Sequence, residues 1–205
     1  MLLEYIRENY KENEPIFTSD INLPVSETNK RQMFKVLYDN GKIERFDNGI
    51  YYLKGKSGLK NADTVSVSDV TRYKYIYRNK EVFGYYSGYT FANQLGLSTQ
   101  VPSSIEIVSN LASANYRELN IRKQKIILRK PRVMITEENA VILQLLDLLK
   151  DYEQYADITE EGVIKIKEYI KSIKIRRDDM DKYLIYYPDR IYKTVYELKL
   201  YELFA

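Results

Sequence analysis

The sequence predicts an α+β protein in two parts: an N-terminal winged helix-turn-helix and a larger mixed α+β C-terminal domain. Three observations predict it. Helical patterns and then a hairpin signal fill the first 55 residues, a polar stretch holding two glycines follows, and beyond it β-prone runs come before helical ones. Strands grouped ahead of helices argue against an alternating parallel-sheet fold. The 205 residues, 44% hydrophobic and 30% charged, suit a small module joined to a larger one, both folded.

Leu2, Leu3, Tyr5, Ile6 and Tyr10 recur at helical spacing, which predicts a helix over 2–13 that stops before Pro15. Thr18-Ser-Asp-Ile offers caps for a short second helix, and Asn22-Leu-Pro forms a turn. Ser26 is placed to cap a third helix over 27–40, with Glu27 in its first turn and Gly41 at the position that favours a left-handed backbone. Met33, Phe34, Val36 and Leu37 are read as its inward side. Thr28, Arg31, Gln32 and Lys35 are read as the opposite one. Lys42-Ile-Glu-Arg-Phe and Ile50-Tyr-Tyr-Leu then flank Asp47-Asn-Gly, a hairpin signal. In a winged helix-turn-helix the third helix enters the major groove and the wing approaches the backbone. Arg31 and Gln32 suit base edges, and Lys30, Lys35, Lys42 and Arg45 suit phosphates. Ser26, Thr28 and Asn48 complete the expected DNA-binding set. The domain is assigned to residues 1–55, a linker to 56–64 and the second domain to 65–205.

Charge along the chain agrees with that placement. Residues 1–25 carry two basic and five acidic side chains, whereas residues 26–60 carry eight basic and four acidic. A second basic block, Arg117, Arg122, Lys123, Lys125, Arg129, Lys130 and Arg132, has only Glu118 against it. Within it Arg122, Lys123, Lys125, Arg129, Lys130 and Arg132 form a candidate secondary phosphate-binding surface or a contact for an acidic partner, with strand alternation and plain solvation as the opposing reading. Residues 136–205 are net acidic.

The chain has no Cys and no His, which excludes zinc fingers, thiol redox chemistry and any triad with a His base. Asp178, Asp179 and Asp181 are the one carboxylate cluster that suggests a magnesium-dependent nucleotide enzyme. They follow Arg176 and Arg177 at a helix start, where acidic residues favour the dipole, and no Walker-type loop accompanies them. The expectation is no enzyme, no cofactor and no metal. Twenty-one tyrosines could form a stacking platform for single strands, but they are enriched together with Ile, Lys and Asn, which reads as general composition. The charged N-terminal stretch lacks the apolar run of a signal peptide, and no segment has spanning length, so the expected location is cytoplasmic, without membrane contact.

The second domain is expected to open with a helix over 67–79, a β-prone run at 81–87 and a short helix over 90–95. Strands follow at 105–109, 116–121 and 125–129, then helices at 137–151, 160–174, 176–186 and 189–203. Residues 84–102 are unusually patterned, with glycines at 84, 88 and 96 around the short helix.

Gly49-Ile-Tyr-Tyr-Leu resembles the wing ending of the AbiEi family, antitoxins of bacterial type IV toxin-antitoxin and abortive-infection systems. Gly84-Tyr-Tyr-Ser-Gly with Asn93-Gln-Leu-Gly-Leu-Ser-Thr-Gln-Val-Pro resembles that family's most distinctive segment. Ile127-Leu-Arg-Lys-Pro-Arg and Glu138-Asn-Ala-Val-Ile-Leu-Gln-Leu-Leu-Asp-Leu-Leu are also similar. The resemblance implies a winged helix that represses its own operon at inverted repeats in promoter DNA. It further implies a second domain that opposes a cognate nucleotidyltransferase-like toxin without needing a stable complex, which makes the basic residues from Arg122 to Arg132 a candidate antitoxic surface. The remaining alternative is a protein-interaction adaptor with a degenerate winged helix.

Overall fold

A computed structural model describes residues 2–55, 64–98, 100–155 and 159–204. The fold is mixed α+β and divides into two compact units, Met1–Tyr73 and Lys74–Ala205. The division falls later than the 56–64 linker expected from sequence, of which 56–63 lies outside the described residues. Among the described residues no helix is long and apolar enough to cross a membrane.

In the first unit, helix α1 (Leu2–Asn9) leads to strand β1 (Ile16–Phe17) and one 3-10 turn (Thr18–Asp20), then helix α2 (Glu27–Asp39) and the hairpin β2 (Glu44–Asp47) and β3 (Ile50–Tyr52). The strands form an antiparallel sheet in the order β1-β3-β2. Helix α1 ends four residues before the sequence expectation. The Lys11 amide is taken by the Glu14 carboxylate at 2.7 Å, and Asn13, at φ 59°, donates its amide to the Leu53 carbonyl at 2.8 Å. The expected second helix is the 3-10 turn alone, because the chain around it pairs as β1.

Helix α2 is capped as the sequence suggests. Ser26 Oγ accepts the Asn29 amide at 3.2 Å, and Gly41 takes φ +64° while its amide bonds the Tyr38 carbonyl. Its faces need correction. Lys30 is 6% exposed and Val36 46%, since at about 100° per residue Lys30 stands about 40° from buried Phe34 and Val36 about 160° away. Phe34 packs with Leu2, Ile6, Ile16, Ile21, Ile43 and Tyr51 in the unit's core. The hairpin turn is a bulged one: register shifts between Arg45 and Asp47, and Gly49 adopts φ +72° whereas Asn48 does not have positive φ. Helix α3 (Val67–Tyr75) carries Tyr73, whose ring stacks on Phe17 at 5.9 Å.

The second unit opens with a hairpin where a continued helix was expected: β4 (Tyr77–Arg78) pairs with β5 (Glu81–Val82). Asn79 and Lys80 both have positive φ, 51° and 67°, which matches the right-handed twist of a two-residue turn and ends the helix. Strand β6 (Gly84–Tyr86), helix α4 (Gly88–Gln94) and strands β7 (Ser104–Ser109), β8 (Tyr116–Ile121) and β9 (Gln124–Arg129) follow. The sheet order is β6-β7-β9-β8, antiparallel except for the parallel β7–β9 pair. Directly paired residues share a face, so Ile107, Ile126 and Leu128, all buried, mark one side. Tyr85, Glu106, Val108, Lys125 and Arg129 mark the other.

On that second side lies helix α5 (Ala140–Lys150), which buries Ile142, Leu143, Leu145, Leu146, Leu148 and Leu149 and so is apolar nearly all round. Helices α6 (Tyr152–Tyr155), α7 (Glu160–Ile173), α8 (Arg177–Leu184) and α9 (Arg190–Glu197) and a final 3-10 turn (Tyr201–Leu203) complete the unit. Tyr85, Phe91, Val108, Ile166, Met180 and Ile191 join α5 in one core.

Candidate nucleic-acid interface

Thr28, Arg31, Gln32 and Lys35 are all exposed on α2 within an arc of about 100°, from Arg31, about 60° from Phe34, round to Gln32, about 160° from it. Arg31, Lys35 and the exposed Lys42 just beyond the helix form no ion pair with a described residue. Hydrogen-bonding groups that no partner among the described residues claims are therefore displayed along one side of the helix, with Asp39 at its C-terminal end.

Four members of the expected set are engaged within the unit. Lys30 is a correction: its ammonium donates to the Ile21 carbonyl at 3.0 Å and pairs with Glu27 at 2.7 Å, so it braces the loop before α2 and cannot reach a phosphate. Ser26 has its oxygen committed to the cap. Arg45 Nη2 donates to Asn48 Oδ1 at 3.2 Å, and its Nε to the Asp47 carbonyl, so both residues are exposed at the turn but tied to one another. Only one nitrogen edge of Arg45 is occupied in this way, and the side chain remains at the surface.

Beside the polar face runs a groove of about 410 Å³ lined by Leu2, Leu3, Asn29, Gln32, Met33, Val36 and Leu37. Sequence reasoning missed it by assigning Val36 to the core.

In the second unit the basic block does not act as one surface. Arg117 sits across from Leu128 on the opposite side of the sheet from Arg129. Lys125 pairs with Glu118 at 2.8 Å, and that hydrogen bond pushes the lysine pKa up and the carboxyl pKa down, while Tyr116 also donates to Glu118. Arg122, at φ 52°, and Lys123 are exposed in the β8–β9 turn. Arg129 pairs with buried Glu106 at 2.6 Å. Lys130 is exposed, and Arg132 donates to the Tyr186 carbonyl at 3.3 Å and lies over the Tyr187 ring. The Asp178 cluster is spoken for in part: Asp179 pairs with Arg176 and Asp181 with Arg177.

Arg129, Lys130 and Arg132 converge with Asp147 and Lys150 of α5 and Asp151 at its C-terminal cap on a cavity of about 640 Å³, which no sequence motif announces. Beneath it, the Tyr85 hydroxyl donates to Asp147 at 2.7 Å. Burial, then the Asp147 charge, holds the Tyr85 and Tyr187 hydroxyls far above the usual phenol range, so both stay protonated donors.

No curated protein matches the sequence. Residues 3–177 match the profile of DUF6088, described as a family of unknown function, and since the match spans most of the chain, the protein belongs to that family.

Proposed function

We propose that the protein is a DNA-binding autorepressor and antitoxin of the type IV kind. In this reading, the first unit is a winged helix-turn-helix that binds inverted repeats in its own promoter, and the second counteracts a nucleotidyltransferase-like toxin. The observation that carries the DNA half is the α2 face, where Thr28, Arg31, Gln32 and Lys35 are exposed and neither Arg31 nor Lys35 is neutralised by a described carboxylate. The order helix, 3-10 turn, helix and hairpin supports it, as winged helices present the last helix to the major groove and the hairpin to the backbone. The antitoxin half is supported by the resemblance of residues 84–102 and 127–132 to AbiEi proteins.

Gel-shift titration against the DNA upstream of its own reading frame tests the reading. Log affinity should fall linearly with log salt, and Arg31→Ala should reduce discrimination between specific and random DNA by about 1–3 kcal/mol. Binding that ignores salt and sequence alike would refute it. The antitoxin half is tested by growth rescue when the chain is co-expressed with a toxin encoded beside it.

The apolar groove next to Gln32 favours a second reading, a protein-binding module. Val36→Lys would abolish the partner's binding under that reading and leave DNA binding intact or strengthened.

A further inference from the structure

The cavity of the second unit is built for more than solvated charge. Buried Glu106 lies under one wall. Its Oε2 takes Arg129 Nη1 at 2.6 Å and its Oε1 takes the Tyr89 amide at 3.1 Å, while the Glu106 amide itself donates to Thr90 Oγ1 at 2.9 Å. This carboxylate is 7% exposed at the side chain and Arg129 35%, so one guanidinium nitrogen is fixed on Glu106 while the group, lying over the Tyr116 ring at 5.6 Å, still reaches the cavity surface. Gly88 lines the cavity at φ +57°, and a Cβ there would run into the Glu106 carboxylate. The close approach of α4 to Glu106 thus requires glycine, which ties the distinctive glycine of residues 84–102 to the orientation of a charge on β9. A buried acid that aligns an arginine toward a cavity restricts its geometry in advance, the arrangement that suits bidentate recognition of a tetrahedral anion.

Charges in the cavity are sorted by element. Arg129, Lys130 and Arg132 come from the end of β9 and the turn after it. Asp147 comes from α5 and Asp151 from its C-terminal cap, with Lys150 bridging them at 3.0 and 3.2 Å. Arg190 also holds Asp151. These charges are mostly buried, at 18% for Lys150, 11% for Asp147 and 16% for Asp151, and their ion pairs with one another and with Arg190, together with the Tyr85 hydroxyl, hold their positions at the cavity wall. The cavity's about 640 Å³ falls within the range of small-molecule sites and exceeds what a bare phosphate fills.

We propose that this cavity binds a nucleotide, with the phosphate held by Arg129, Lys130 and Arg132 and the sugar hydroxyls or base amino group donating to Asp147 and Asp151. The cationic end recognises the phosphate ester, and the carboxylates recognise the donors that a bare phosphate lacks. This assignment concerns the second unit alone and does not rest on DNA reading by α2.

The test uses the full-length protein and isothermal titration with AMP, CMP, GMP, UMP and their triphosphates, against inorganic phosphate and pyrophosphate at matched ionic strength. At least one nucleotide should bind saturably and tighter than either inorganic anion. Lys130→Ala and Arg132→Ala, both at exposed positions, should each weaken it about tenfold or more, as loss of a charged hydrogen bond does. Asp151→Asn should weaken the nucleotide while leaving pyrophosphate binding unchanged, and Arg31→Ala with Lys35→Ala should leave both unchanged. Absence of saturable nucleotide binding overturns the proposal. So does pyrophosphate binding as tight as the best nucleotide, or binding that survives Lys130→Ala and Arg132→Ala but is lost on changing the α2 residues.

Discussion

Lys30 and Lys35 are five residues apart and chemically identical, yet the helix gives them opposite tasks. Lys30 is turned inward and donates to the Ile21 carbonyl, whereas Lys35 projects into solvent. Replacing Lys30 by Ala removes a hydrogen bond from a charged donor and should lower unfolding stability by about 1.5–3 kcal/mol while leaving the salt slope of the proposed DNA binding unchanged. Lys35→Ala should do the reverse, with stability within about 0.5 kcal/mol and a slope smaller by about 1. Denaturant titration and gel shifts at several salt concentrations measure both, and a reduced slope for Lys30→Ala would show that its ammonium escapes the loop. The same sensitivity to position governs Gly49. Its φ of +72° and the 3.2 Å that a Cβ would leave to Thr18 Oγ1 predict a loss of about 1–2 kcal/mol for Gly49→Ala, measured by denaturant titration.

Elements set by local chemistry were legible in the sequence, and elements set by distant partners were not. Helix α2 announces both its ends because Ser26 and Gly41 act on backbone groups within four residues. The end of α1 depends on an amide of Asn13 reaching Leu53, forty residues on, and nothing near Asn13 signals it. Val36 was misassigned because it is apolar, while the angle round the helix, which decides burial, puts it with Gln32. Glu106 and Arg129 meet only because β7 and β9 pair in parallel, and periodicity carries no information on strand order. The β4–β5 hairpin was hidden by helical spacing that runs on past Tyr75. Its turn places Lys80 at φ 67°, a conformation costly for a residue with a Cβ, so Lys80→Gly should raise stability by about 1 kcal/mol. Unfolding curves of the full chain would reveal it, and a loss instead would mean that the Lys80 side chain makes a contact worth more than the strain.

Across the whole molecule, buried phenols set the alkaline limit. Burial pushes Tyr169 from the ordinary 10.0 up to about 12, and burial is also the first cause of the upward shifts of Tyr85, Tyr187 and Tyr73. A raised folded-state pKa means that the folded chain keeps protons which the unfolded chain releases, so their contribution is complete below about pH 10 and falls as pH rises toward 12 and beyond. Denaturant midpoints should be level from pH 8 to 9 and decline above 10, less steeply in Tyr169→Phe, and an unchanged decline would remove Tyr169 from the cause. Tyr73 also decides where the first unit ends. Its ring stacks on Phe17, and its hydroxyl senses Glu14 and Asp20, all residues of the first unit, although the sequence alone would cut that unit at 55. Removing residues 56–75 would expose the Phe17 face of β1 and forfeit an aromatic pair worth about 0.5–1.5 kcal/mol beyond its buried area. A fragment of residues 1–75 should therefore melt several degrees above one of residues 1–55, since about 1 kcal/mol shifts the midpoint of so small a domain by 4–8 °C. Tyr73→Ala in the longer fragment should remove most of that gain, and equal melting of the two fragments would return the boundary to residue 55.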